Sequence, residues 1–110
     1  MTASDGLHTT VFSPGGRAVV AVSGEVDFTT APRLRCALEA ALASGPDAIE
    51  VDFTAVPFCD CSGVNTLLHA WNQARDTGVP LRVTGVGAPV VVRLFQVLGL
   101  EYLLGLRSRS

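Results

Sequence analysis

Apolar positions along the chain change period several times, and each change marks an element. Leu7 to Ser13 alternates weakly and runs into Pro14-Gly15-Gly16, a strong turn signal. Val19-Val20-Ala21-Val22 is then a continuous apolar run of strand length, so the two segments read as a β-hairpin. Beyond the polar stretch Gly24-Glu25-Val26-Asp27, the residues Leu34, Ala37, Leu38, Ala41 and Leu42 recur at helical spacing. Thr29 or Thr30 can cap that helix ahead of Ala31-Pro32, and Gly45-Pro46 stops it.

The alternation returns at Ile49, Val51 and Phe53, which predicts a strand that Ala55-Val56-Pro57 breaks. Phe58-Cys59-Asp60-Cys61-Ser62-Gly63 is a polar turn, with Ser62 as an N-cap candidate. Val64, Leu67, Leu68, Trp71 and Ala74 then form one helical stripe ending near Asp76-Thr77-Gly78. Leu81 and Val83 mark a short strand. A loop with Gly85, Gly87 and Pro89 precedes a third helix through Val91, Leu94, Phe95 and Leu98, closed by Gly99, and Leu103-Leu104 can add a small edge element. The order β-β-α-β-α-β-α predicts one α/β domain over residues 7–106, with flexible ends at 1–6 and 107–110. Strands separated by helices imply a mixed, mainly parallel sheet that starts with an antiparallel hairpin.

Composition narrows the function classes. The chain has 110 residues, of which 48% are apolar and 16% charged, with a net charge of −2. A core can form without metal or disulfide, and no basic stripe favours nucleic acid. Apolar runs such as Val90–Val92 are far shorter than the about 18 residues a membrane span needs. The polar N-terminal residues lack the apolar segment of a secretory signal. The three cysteines Cys36, Cys59 and Cys61 are an odd count, so free thiols in a reducing cytoplasm are expected.

In sheets of this kind, ligands and partners gather at strand C-terminal ends beside helix N-termini. Two polar turns fall there, Gly24 to Thr30 and Phe58 to Gly63, and neighbouring strands would place both on one surface. Helix capping by Thr and Ser, with Asp27 and Asp60 near helix N-termini, accounts for the same residues without a function. Cys61 at a helix start has the setting of an activated thiol. However, no Arg follows until Arg75, and neither His8 nor His69 is placed to act as its base, so an enzyme is not expected. Cys59 and Cys61 would stand about 6.6 Å apart in an extended strand, at the edge of disulfide geometry. Without a second Cys/His pair they make a poor zinc site. Cys36 reads as a small core or boundary residue and Trp71 as core. Gly85-Val86-Gly87 lacks the third glycine of a dinucleotide fingerprint. No cofactor and no metal is expected.

Three motifs, taken in order, look like the STAS domain of bacterial anti-sigma-factor antagonists. They are Gly24-Glu25-Val26-Asp27 with Thr30-Ala31, Asp60-Cys61-Ser62-Gly63, and Pro89 to Phe95 with Leu98-Gly99-Leu100. The resemblance runs from about Val11 to Leu104. It implies a sheet of four or five strands with helices mainly on one side. It also implies a partner, an anti-sigma factor that is a serine kinase, and a phosphatase that resets the switch. The implied partner-binding residues are Glu25, Asp27, Thr29, Thr30, Asp60, Cys61, Ser62 and Gly63. The family's phosphorylated hydroxyl falls at Cys61, a thiol, and the neighbouring Ser62 is expected to be occupied as a helix cap. The expectation is an antagonist without the usual phosphate switch. Redox control through Cys61, or a scaffold for a small ligand or another signalling or transport complex, are the alternatives.

Overall fold

The hairpin forms where the alternation places it. In the computed structural model, which describes residues 6–104, β1 (Leu7–Phe12) and β2 (Arg17–Gly24) pair antiparallel from Leu7↔Gly24 to Phe12↔Val19. The expected flexible ends at 1–6 and 107–110 lie outside the described residues apart from Gly6, as do residues 105–106 at the end of the predicted domain. The chain continues through α1 (Ala31–Ala43), β3 (Ala48–Ala55), α2 (Cys61–Asp76), β4 (Leu81–Thr84) and α3 (Pro89–Val97). β2, β3 and β4 run parallel, giving a four-stranded sheet in the order β1-β2-β3-β4. The edge element expected at Leu103-Leu104 reduces to a 3₁₀ turn at Glu101–Leu103 and one parallel bridge between Leu104 and Val83.

Strand alternation sends Ala18, Val20 and Val22 of β2, Ile49, Val51 and Phe53 of β3, and Leu81 and Val83 of β4 into one buried layer. Leu34, Ala37, Leu38 and Ala41 of α1 close over it, as do Val64, Leu67, Ala70 and Ala74 of α2 and Val91 and Phe95 of α3. Burying each large aliphatic or aromatic side chain contributes about 1.5–3 kcal/mol before entropy is counted. The opposite sheet face is largely polar, with Phe12 and Val19 as its large apolar residues. There Arg17 approaches Glu50 at 3.6 Å, and the Thr84 hydroxyl donates to Glu50 at 2.9 Å. The helices therefore lie on one side of the sheet.

Two expected burials come out differently. Cys36 is exposed rather than core or boundary, because it falls outside the Leu34, Ala37, Leu38, Ala41 stripe that defines the inner face of α1. Trp71 is only half-buried at the margin of the core. Its ring meets Tyr102 edge-on at 5.1 Å, and the Arg75 guanidinium lies 4.9 Å from its centroid.

The sheet bends just ahead of the two polar turns. Pairing passes from Ala21↔Asp52 to Ser23↔Ala55, so β3 carries one residue more than β2, a bulge. Asp52 holds it by accepting from the Thr54 amide at 2.9 Å and the Thr54 hydroxyl at 2.6 Å. Gly24, at φ 104, ends β2 with the Gly6 carbonyl where a Cβ would go. Only glycine fits this exit.

Candidate partner-docking surface

Both turns emerge from the C-terminal ends of neighbouring parallel strands, and the backbone then joins them. The Val26 amide donates to the Phe58 carbonyl at 2.9 Å, and the Asp60 amide donates to the Val26 carbonyl at 3.0 Å. This is an isolated parallel bridge between Val26 and Cys59, both buried. It brings Glu25, Asp27, Thr29 and Thr30 beside Asp60, Cys61, Ser62 and Gly63.

Within the first turn Asp27 is the organising residue. One carboxylate oxygen accepts from the Thr29 amide at 2.9 Å, the Thr29 hydroxyl at 2.7 Å and the Thr30 amide at 3.1 Å. Its carbonyl accepts from the amides of Thr30 and Ala31, which open α1. Of the two expected caps, Thr30 holds the N-cap position in a helical conformation, but its side chain makes no capping bond. Its hydroxyl instead accepts from the Asp27 amide at 2.9 Å and donates to the Glu25 carbonyl at 3.0 Å, tying the turn across itself. The Thr29 hydroxyl, more than any other contact, holds the Asp27 carboxyl below its ordinary pKa, against a smaller opposing effect of burial.

In the second turn the cap is Asp60. Its backbone is extended, and its side chain accepts from the Ser62 amide at 2.9 Å and from the Gly63 amide at 3.4 Å. Ser62, expected as the cap, is instead the second residue of α2. Its carbonyl accepts from the Thr66 hydroxyl at 2.9 Å, and none of the hydrogen bonds among the described residues engages its own hydroxyl. The reason is the bridge to Val26, which holds Asp60 extended and leaves the carboxylate aimed at the first turn of the helix.

The cysteines divide by environment. Cys61 is exposed at the first position of α2, while Cys59 is buried beneath the turn. The Cys59 thiol donates to the Asp60 carbonyl at 3.4 Å. Burial, helped by Asp60 and Cys61, pushes its pKa up to about 12, so it stays protonated at neutral pH. All three cysteines are free. A Cβ on Gly63 would stand 2.5 Å from Val26 Cγ1 and 2.6 Å from Cys59 Sγ. Glycine at this position lets α2 seat against the bridge.

Two aromatic rings complete the surface. Phe28 is 73% exposed between Asp27 and Thr29, and Phe58 is 40% exposed beside Cys59. Phe28 was not among the residues singled out from the sequence. Its signal is an aromatic residue inside a polar turn, outside every apolar stripe. Neither turn contains a basic residue, so the surface combines Glu25, Asp27 and Asp60 with two phenyl rings. Among the described residues, no group of three or more His, Cys, Asp or Glu side chains could hold a metal.

The family profile described as "Mlab, STAS domain" matches residues 9–105. The chain belongs to the STAS domain family. This STAS domain is 32% identical over 101 residues to RsfB, an anti-sigma-F factor antagonist of Mycobacterium tuberculosis, a match covering 92% of this chain and 81% of that one. It is 28% identical over 87 residues to an anti-sigma-B factor antagonist of Listeria monocytogenes, covering 79% and 75% of the two chains. A crystal structure of an anti-sigma factor antagonist from Mycobacterium paratuberculosis superposes with a TM-score of 0.79 at 32% identity, covering 99% of this chain and 92% of that one. The unphosphorylated antagonist SpoIIAA shares the fold, with a TM-score of 0.77 at 20% identity over 89% and 86% of the chains.

Proposed function

We propose that this STAS domain is an anti-sigma-factor antagonist. It binds an anti-sigma factor through the joined turns at residues 24–30 and 58–63 and thereby frees a sigma factor for transcription. The observation that carries the reading is the Val26–Cys59 bridge, which joins two turns that between them carry three carboxylates and two exposed rings. The antagonist names borne by relatives at 32% and 28% identity support it. Apolar rings within a polar margin are the composition of protein interfaces, and the acidic margin favours a partner that is basic around an apolar recess. The domain acts by binding rather than by catalysis. Its free thiols suit a reducing cytoplasm, and no described helix is long and apolar enough to cross a membrane.

The partner we infer is an anti-sigma factor of the serine-kinase type, opposed by a phosphatase. Phosphate at this turn would add close to two negative charges among Asp27, Asp60 and Glu25 and would expel an acid-seeking partner. Cys61 stands where the acceptor hydroxyl is expected, so this antagonist binds without being switched off at that position. Ser62 keeps a hydroxyl that caps nothing, but it sits one residue further into the helix.

Co-purification with candidate anti-sigma kinases and ATP tests both parts, with wild type and Cys61→Ser compared. Binding by both proteins, with phosphate on the serine variant alone, is the expected result. Phosphate on wild-type Ser62 would overturn the absence of a switch. Failure of both proteins to bind any kinase-fold partner would overturn the function.

A further inference from the structure

β1 is an edge strand, and its backbone is prepared to pair a second time. The Gly6 carbonyl accepts from the Glu25 amide at 3.0 Å, which fixes the phase of the β1–β2 ladder. In an antiparallel ladder, alternate residues bond to the neighbour and those between point away. The inward residues are therefore His8, Thr10 and Phe12, paired with Ser23, Ala21 and Val19. Leu7, Thr9 and Val11 turn their amides and carbonyls outward. The Leu7 carbonyl is taken by the Arg33 guanidinium at 3.3 Å. Among the described residues, nothing bonds the outward groups of Thr9 and Val11. β1 also lacks the devices that usually protect an edge. It contains no Lys, no Pro and no bulge against β2.

A groove of about 610 Å³ runs along this edge under α1, lined by Leu7, Thr9, Val11, Pro32 and Cys36 among others. Of the exposed α1 positions past Arg33, Cys36, Ala40 and Ala43 are small and uncharged, while Arg35 and Glu39 pair with each other at 3.7 Å on the side that meets α2.

We propose that β1 pairs with β1 of a second copy of this chain, antiparallel about a twofold axis at Thr10, to make one eight-stranded sheet. The register follows from which groups are free. Centred on Thr10, Thr9 of each copy faces Val11 of the other, so outward groups meet outward groups and the Leu7 carbonyl stays with Arg33. The two Thr10 side chains meet on the open face, and each His8 faces a Phe12, both favourable cross-strand pairs. No carboxylate lies on β1. The two Leu7 positions, and with them the Arg33 contacts, lie about 20 Å apart along the strands, beyond the reach of charge in physiological salt. A twofold axis normal to the sheet leaves both helix layers on the same side, and the small exposed residues of α1 allow the two helices to approach across the groove.

Thr10 makes the test specific, because it is exposed and its replacement leaves the core intact. Sedimentation velocity across micromolar concentrations is expected to show a reversible dimer for the wild type. Thr10→Lys and Thr10→Glu should each weaken it about tenfold or more, by placing like charges face to face on the axis. Mixing the two variants should restore it. Circular dichroism melts of both variants should stay at the wild-type temperature. A wild type that is monomeric throughout, a lysine variant that dimerises normally, or variants that remain apart on mixing would each overturn the proposal.

Discussion

Gly63 sits against Cys59 so closely that no further carbon fits between them. An alanine Cβ at 63 would stand 2.6 Å from the Cys59 sulfur and 2.5 Å from a Val26 methyl. Neither neighbour can retreat freely, since both are buried and their backbones form the bridge. Gly63→Ala is expected to destabilise the domain by about 1–3 kcal/mol, the usual cost of overpacking. Urea denaturation reads this directly. Adding Cys59→Ala to Gly63→Ala should recover part of the loss, because it removes one of the two obstructing groups.

Among the described residues, Asp60 is the side chain that caps the start of α2. Asp60→Ala is expected to cost about 1 kcal/mol, within the ordinary range for a lost N-cap, while Asp60→Asn should cost less because an amide oxygen still accepts. Ser62→Ala should be close to neutral in the same assay. If Ser62→Ala proves as costly as Asp60→Ala, the assignment of the cap to Asp60 fails.

Asp27 gives the first turn an acid sensitivity with a definite sign. Its carboxyl titrates below the ordinary value in the folded state, chiefly through the Thr29 hydroxyl. The stability this provides is present at neutral pH and is lost as pH falls through the depressed folded value. An NMR titration should find the Asp27 midpoint below about 3.9, the unperturbed Asp value. Thr29→Val should raise that midpoint, and an unchanged midpoint would remove the hydroxyl as its cause.

Thiol chemistry should separate the cysteines. Cys36 and Cys61 are exposed, whereas Cys59 is buried and its pKa is pushed up to about 12. A maleimide is expected to label two thiols in the native protein and the third only after unfolding. The thiolate is the reactive form, and the buried group supplies almost none.

Phe28 should matter to the partner and not to the fold. With 73% of its surface exposed, Phe28→Ala is expected to leave the melting temperature unchanged. Affinity for the anti-sigma factor should fall about tenfold or more, as for a central aromatic contact. Equal binding by the variant would take Phe28 off the docking surface.

The stripes of the helices and the alternation of β3 were legible because burial imposes a period on local sequence, and β2 was legible as an unbroken apolar run of strand length. The hairpin was legible because Pro14-Gly15-Gly16 leaves the chain few alternatives. The caps were not. Asp60 and Ser62 are equally suitable residue types two positions apart, and the choice between them depends on Val26, far away in the chain, which holds Asp60 extended. The same applies to Asp27 and Thr30, where the hydroxyl that could have capped α1 binds the Glu25 carbonyl instead. Cys36 misled because an isolated small residue in a helix carries no period of its own. The nearness of the two turns could be expected from strand order, but the hydrogen bonds that lock them together could not.

The division of labour around Asp60 has a consequence for how this surface can change. Backbone shape is held from behind, by Val26, Cys59, Asp60 and Gly63, while the side chains at 61 and 62 support nothing beneath them. Hydroxyl and thiol can be exchanged at these two places, and a larger group at the exposed position 61, without redrawing the loop. The switch chemistry proposed for this loop would in this sense be replaceable on a fixed mount.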